Sequence, residues 1–245
     1  MKIVIFSTKT KHHTYFINKL NEQFNIVGVL YERFRLKKDY PTGPVFEREM
    51  NQYEEKFFDP AEGGVSSKLS DDIGEKVVEV YRVNQTGVDE YVKALEPDIG
   101  ITFGVGPVKP HVFNVPKWGT INIHRGVSQE YRGLDSDLWA IYHNQYDKIG
   151  VTIHYVDDDL DTGGILAQEY IKIGHDNKIY HLRYIGTVVA TRLVLSILAD
   201  FKKKKASLES HRQEKEGSYY SAIPLEKEYV ACNNFIEYTK GLHNA

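Results

Sequence analysis

The opening alternation of short apolar runs with helical periodicity restricts this chain most. Residues Ile3–Phe6 read IVIF, apolar at every position rather than at every second one. Such a strand is buried on both faces, which is the situation in a parallel sheet covered by helices. A polar turn over Ser7–His13 follows. Phe16, Ile17, Leu20 and Phe24 then recur at helical spacing before a second apolar run at Ile26–Leu30. A β-α-β unit of this kind joins parallel strands by a right-handed crossover. The alternation resumes with a strand over Val77–Val83, a helix over Val88–Leu95 stopped by Pro97, and a strand over Ile99–Phe103. The expected fold class is therefore α/β, a doubly wound, mainly parallel sheet. Between these units, Tyr31–Gly74 is rich in charge, Pro and Gly. Phe46, Met50, Tyr53 and Phe57 share one helical face there, so a helix is expected over Phe46–Phe58 within a surface excursion.

Downstream, strands are expected at Thr120–His124, Val151–Val156 and Ile165–Ile173. Asp135 or Ser136 can cap a helix carrying Leu138, Trp139, Ile141 and Tyr142, and Asp176 can cap a long helix. The apolar positions of that helix are Leu182, Ile185, Val189, Leu193, Ile197 and Phe201. These assignments put a catalytic domain over residues 1–203. The small aromatic appendage over 204–245, a hairpin for instance, is too short to fold alone and must pack on the main body or on a second subunit. A homodimer through this tail is an expectation. The net charge of −3 speaks against a surface that coats nucleic acid. Lys202–Lys205 reads as a solvated helix end. No stretch reaches the roughly 20 apolar residues of a membrane span, and the apolar start is too short for a signal peptide. The single cysteine, Cys232, forms no internal disulfide, which suits a reducing cytoplasm.

Asn122 and His124 lie two apart on a strand, so they face the same side. Asp161 sits in the turn Asp161-Thr162-Gly163-Gly164. An amide donor, an imidazole and a carboxylate are the groups that acyl transfer to an amine requires. The donor stabilises the carbonyl oxygen, the imidazole manages the amine proton, and the carboxylate orients the imidazole. The spacing alone fits equally a buried histidine satisfied by an amide, with Asp161 capping its turn. Gly104-Val105-Gly106-Pro107 follows the strand ending at Phe103, at the carboxyl edge where open α/β sheets bind ligands. Asp157–Asp159 lacks the alternation and glycine of a calcium loop, and no histidine has zinc-ligand spacing, so no metal is expected. His154 reads as a packed core residue. Tyr219 and Tyr220 can stack on a base or anchor the tail.

The string N-I-H, then Y-R-G beginning seven positions after the histidine, then G-V-T-I-H-Y-V-D and L-D-T-G-G-I-L, resembles the folate-dependent formyltransferase family. The likeness is dense from Pro97 to Gln168 and looser from Met1 to Phe201. It implies a Rossmann-like formyltransferase fold, N10-formyltetrahydrofolate as co-substrate, and Asn122, His124 and Asp161 as catalytic residues. It also implies folate contacts from Phe103, Gly104, Val105, Gly106, Val156 and Asp157. The K-T-K-H-H-T-Y-F opening and the later E-K-F-F-D-P resemble the sugar N-formyltransferase branch. That implies a nucleotide-linked amino-dideoxysugar acceptor such as dTDP-4-amino-4,6-dideoxyglucose, used in surface polysaccharide. Lys109 and Arg132 are candidates for its diphosphate, and read equally as surface charges or members of an ion pair. Purine-pathway glycinamide ribonucleotide formylation, and a catalytically inactive folate or nucleotide-sugar binder, are the alternatives. The sequence departs from the family at Val127–Glu130, where many members carry Leu-Leu-Pro.

Overall fold

In the computed structural model, which describes residues 1–35, 37–58 and 68–243, the apolar runs become strands of one seven-stranded sheet. The elements of the first half are β1 (Lys2–Ser7), α1 (Lys11–Asn21), β2 (Asn25–Glu32), α2 (Glu47–Phe58), α3 (Asp71–Gly74), β3 (Val77–Val80), α4 (Val88–Leu95), β4 (Ile99–Phe103), α5 (Pro110–Phe113) and β5 (Thr120–His124). The second half contributes β6 (Tyr131–Gly133), α6 (Ser136–Tyr142), β7 (Gly150–Tyr155), β8 (Ile165–Tyr170), α7 (Leu182–Lys204), β9 (Ser218–Tyr220) and α8 (Leu225–His243). The sheet order is β3-β2-β1-β4-β5-β7-β8. The first five of these are parallel, while β7 is antiparallel to β5 and β8 antiparallel to β7. The chain leaves β1 toward one edge and returns at β4 on its other side. The crevice at the carboxyl ends of these strands is therefore a topological switch point.

Strand β1 shows why both faces need cover. Ile3 and Ile5 enter one apolar cluster with α1 and α7, while Val4 and Phe6 enter a second with α4 and α5. All four side chains are fully buried. At roughly 1.5 to 3 kcal/mol per buried aliphatic or aromatic side chain, this strand anchors both layers. A register shift opposite Ile3 and Val4 inserts one extra residue in β2, which lets Ile26 and Val29 face the same cluster.

Several expectations are corrected. The long helix starts at Leu182, after a 3-10 turn over Ile179–His181, so Asp176 does not cap it. Its buried face runs through Gly186, Ala190, Val194, Ile197, Leu198 and Phe201, leaving Ile185, Val189 and Leu193 half-buried. Apolar residues extend beyond the buried face on one side of α7, so periodicity alone leaves its phase open. By length and composition the segment Ile179–Lys204 would suffice to cross a membrane, yet it packs on α1 and β7 as a core helix. Asp135 precedes α6 but makes no side-chain cap; its carboxylate accepts the Ile223 N–H at 2.9 Å.

The tail is no hairpin. Strand β9 pairs in parallel with β6, and α8 lies on α6. Ile223, Ala231 and Phe235 join the same apolar cluster as the sheet. The Trp139 indole N–H donates to the Ser221 carbonyl at 2.9 Å, and Tyr220 packs on Tyr131 and Trp139. Tyr220 thus anchors the tail, while Tyr219 remains 57% exposed. Within the excursion, α2 is tied to α7 by the bidentate pairing of Arg183 with the buried Glu54; the rest of Tyr31–Gly74 falls partly outside the described residues.

Candidate active site

Three neighbouring strands assemble the site. Thr102 on β4 stands opposite Asn122 on β5, and His154 on β7 stands opposite Asn122 from the other side. The Thr102 hydroxyl donates to Asn122 Oδ1 at 2.7 Å, which fixes the sense of the amide. Both Asn122 N–H groups then point away from Thr102, toward Asp161 Oδ1 at 3.1 Å and His154 Nε2 at 3.2 Å. Asn122 is partly open, whereas His124, His154 and Asp161 are buried, at 5%, 2% and 5% exposure.

Backbone carbonyls decide the proton on each imidazole, because a carbonyl can only accept. His154 Nδ1 lies 2.7 Å from the Tyr155 carbonyl, so Nδ1 carries hydrogen and Nε2 accepts from Asn122. His124 Nε2 lies 2.8 Å from the Tyr131 carbonyl, so hydrogen resides there and Nδ1 is the free base. That basic nitrogen faces Asp161 Oδ2 at 3.4 Å. Burial lowers the His124 pKa, only partly offset by the Asp161 carboxylate and the Tyr131 carbonyl, so the ring is neutral at pH 7. Burial would raise the Asp161 carboxyl, but the attraction of His124 and His154 once they carry a proton toward it, with the Gly133 N–H, outweighs burial and brings it down to about 2.

Asp161 reaches this position through a left-handed backbone, φ 56°. Its Oδ2 accepts the Gly133 N–H at 2.9 Å, and the tail residue Gln213 donates to the Asp161 and Gly163 carbonyls at 2.8 and 3.0 Å. Gly163 is required by close approach, since a Cβ there would stand 1.8 Å from the Tyr155 carbonyl oxygen. The loop holding the carboxylate is thus pressed directly onto the strand end that holds His154.

The comparisons with known proteins bear on this arrangement. The family model described as formyl transferase matches residues 1–184. The chain belongs to the formyl transferase family. A methionyl-tRNA formyltransferase from Sulfurihydrogenibium sp. (strain YO3AOP1) is 32% identical over 145 residues, covering 59% of this chain and 45% of that protein. The chain thus spans about half the length of the curated relatives it matches. Among solved structures, a sugar N-formyltransferase from Shewanella sp. FDAARGOS_354 superposes with a TM-score of 0.63 at 13% identity, covering 96% of this chain and 87% of that one. The formyltransferase PseJ from Anoxybacillus kamchatkensis, solved with UDP-4,6-dideoxy-4-formamido-L-AltNAc and tetrahydrofolate, superposes with a TM-score of 0.53. It is 18% identical and covers 90% of this chain and 86% of that one. The fold is common to all of them.

The other candidate residues divide into open and engaged groups. Gly104, Gly106 and Asp157 are exposed, Val105 and Val156 are half-buried, and Phe103 is buried beneath them. Gly104 has φ +75°, and a Cβ there would stand 2.4 Å from the His13 ring, so only glycine leaves this edge clear. Two peptide donors are already engaged: Gly106 N–H by Glu32 Oε1 at 3.0 Å and Val156 N–H by the Thr120 carbonyl at 2.8 Å. Lys109 extends into solvent from the start of α5. Arg132 is occupied, pairing with Glu216 at 2.6 Å and donating to the Gly217 carbonyl at 2.8 Å. The divergent Val127–Glu130 forms a turn against the tail. Ser128 N–H bonds Thr152 Oγ1 at 3.2 Å there, and Lys215 pairs with Glu130 at 2.6 Å. Thr102, His154 and Gln213 emerge as neighbours of the site. His154 lies in the core but also meets Asn122 and Asp161, a role that only strand register reveals.

Proposed function

We propose that this formyltransferase moves a formyl group from N10-formyltetrahydrofolate to the amine of a nucleotide-linked amino-dideoxysugar, with dTDP-4-amino-4,6-dideoxyglucose the first choice. One observation carries the chemistry: a neutral imidazole whose free Nδ1 faces a buried carboxylate, beside a partly open amide. The folate co-substrate supplies an electrophilic formyl carbon. As the acceptor amine bonds to that carbon, His124 Nδ1 takes the proton the amine loses and Asp161 stabilises the resulting imidazolium; the proton passes on to N10 as the bond between N10 and the formyl carbon breaks, releasing tetrahydrofolate. Asn122 donates to the carbonyl oxygen as its charge grows; to do so it releases one of the bonds it makes to Asp161 and His154. Thr102 keeps the amide from flipping while this happens.

The sugar acceptor is supported by the K-T-K-H-H-T-Y-F and E-K-F-F-D-P strings and by superposition on structures of sugar N-formyltransferases. The curated relatives are methionyl-tRNA formyltransferases, so a formylated tRNA is the competing outcome. The test is one panel incubated with formyl-folate and read by product mass. It contains nucleotide-linked 3-amino and 4-amino dideoxysugars, glycinamide ribonucleotide and methionyl-tRNA. A formylated sugar nucleotide with Asn122-, His124- and Asp161-dependent yield supports the proposal. Formylation of either other acceptor, or of none, refutes it.

A further inference from the structure

We infer that Arg125, the residue after His124, holds an acidic group of the acceptor and restricts this site to anionic acceptors; this rests on the formyl-transfer reading above. Arg125 is half-buried, and its guanidinium has no hydrogen-bond or ion-pair partner among the described residues. The head group keeps contact with solvent, and a guanidinium with no protein partner presents its planar fork of donors to an incoming anion. Its stem lies across α7, its Cγ and Cδ within 3.9 Å of the point where a Cβ on Gly186 would stand. Its charge is felt by His12, His13 and His124 at the carboxyl edge of the sheet.

The same edge offers further unsatisfied polarity. β1, β4 and β5 are adjacent in the sheet, and their ends carry the His12–His13 pair, Gly104 and Arg125. His12 is 5% exposed and its Nδ1 has no hydrogen-bond partner. The His13 ring packs edge-on to Phe103 with centroids 4.4 Å apart, directly beside Gly104. Both histidines feel Arg125, which with burial keeps them neutral. Of the nearby carboxylates, Glu54 pairs with Arg183 and Asp161 faces His124 and His154, while Asp135 accepts the Ile223 N–H and feels the Arg125 charge. None of them forms a salt bridge with Arg125 among the described residues. An anionic group held there would lie on the His124 side of the carboxyl edge.

The experiment uses inorganic pyrophosphate as probe, with tetrahydrofolate binding measured in parallel on the full chain. Wild type is expected to bind pyrophosphate, and Arg125→Gln to weaken that binding about ten- to hundredfold with tetrahydrofolate affinity unchanged. Arg125→Lys, which keeps the charge but loses the fork, is expected to lie between them and decides the matter if the Gln variant misfolds. No pyrophosphate binding by wild type, or equal binding by the folded variants, overturns the inference. A parallel fall in tetrahydrofolate affinity overturns it too, because the anion held would then be the folate's glutamyl carboxylate. Binding is read without turnover, so failure of formyl transfer to any one acceptor leaves this result standing.

Discussion

Replacing Asp161 by Asn tests the charge arrangement with little change of shape. In the native site Asp161 faces His124 Nδ1 at 3.4 Å in a setting only 5% exposed. At an effective dielectric of about 20, opposite unit charges at that separation attract by about 5 kcal/mol. If the imidazolium is fully formed at the barrier, its loss slows turnover by roughly 10³ to 10⁴. A second effect falls on stability. The carboxylate now accepts from both Gly133 N–H and Asn122 Nδ2. A carboxamide has one acceptor oxygen, so one buried donor faces another, at about 1 to 3 kcal/mol. The assay is kcat on the acceptor identified by the panel, followed across pH, with thermal unfolding alongside. Protonated His124 cannot accept the amine proton, so kcat falls as pH drops through its pKa, which lies below the ordinary 6.5. Asp161 raises that pKa, so removing its charge moves the acidic limb to still lower pH. A folded Asp161→Asn enzyme within tenfold of wild-type kcat, or one whose acidic limb stays in place, would refute the reasoning.

Three further outcomes are expected. Gly163→Ala places a Cβ 1.8 Å from the Tyr155 carbonyl oxygen, so the Asp161 loop must shift; kcat is expected to drop strongly, with about 1 to 3 kcal/mol lost in denaturant titration. Glu54→Ala leaves Arg183 unpaired between α2 and α7 and is expected to cost about 3 to 5 kcal/mol in the same titration, with no specific change in the pH profile of turnover. The Asp161 pKa is depressed to about 2 in the folded chain, so its contribution is complete above the unfolded carboxylate pKa and lost as pH falls between about 4 and 2. Acid unfolding of wild type, compared with Asp161→Asn, should show about 2 to 3 kcal/mol more loss across that window.

The parallel half of the sheet was legible because its strands are apolar on both faces, and Ile3–Phe6 permits little else. The phase of α7 was not, because half-buried Ile185, Val189 and Leu193 are as apolar as the buried face beside them. Nor was the β6–β9 pair, which joins Tyr131 to Ser218 across most of the second half of the chain; three-residue strands far apart leave no local signal. At the site, the i, i+2 rule placed Asn122 and His124 on one face, and both side chains meet Asp161 in the structure. The proton positions lay outside its reach. They depend on the Tyr131 and Tyr155 carbonyls, and any residue type can supply a carbonyl. The sequence assigns Asp161 to orient His124, and the structure adds that the Tyr131 carbonyl sets which ring nitrogen carries hydrogen. The carboxylate is thereby left facing the unprotonated nitrogen, where its attraction is felt only once the proton has arrived. A charge that stabilises the protonated ring and not the resting one lowers the barrier to proton uptake, which is what a base in this position requires.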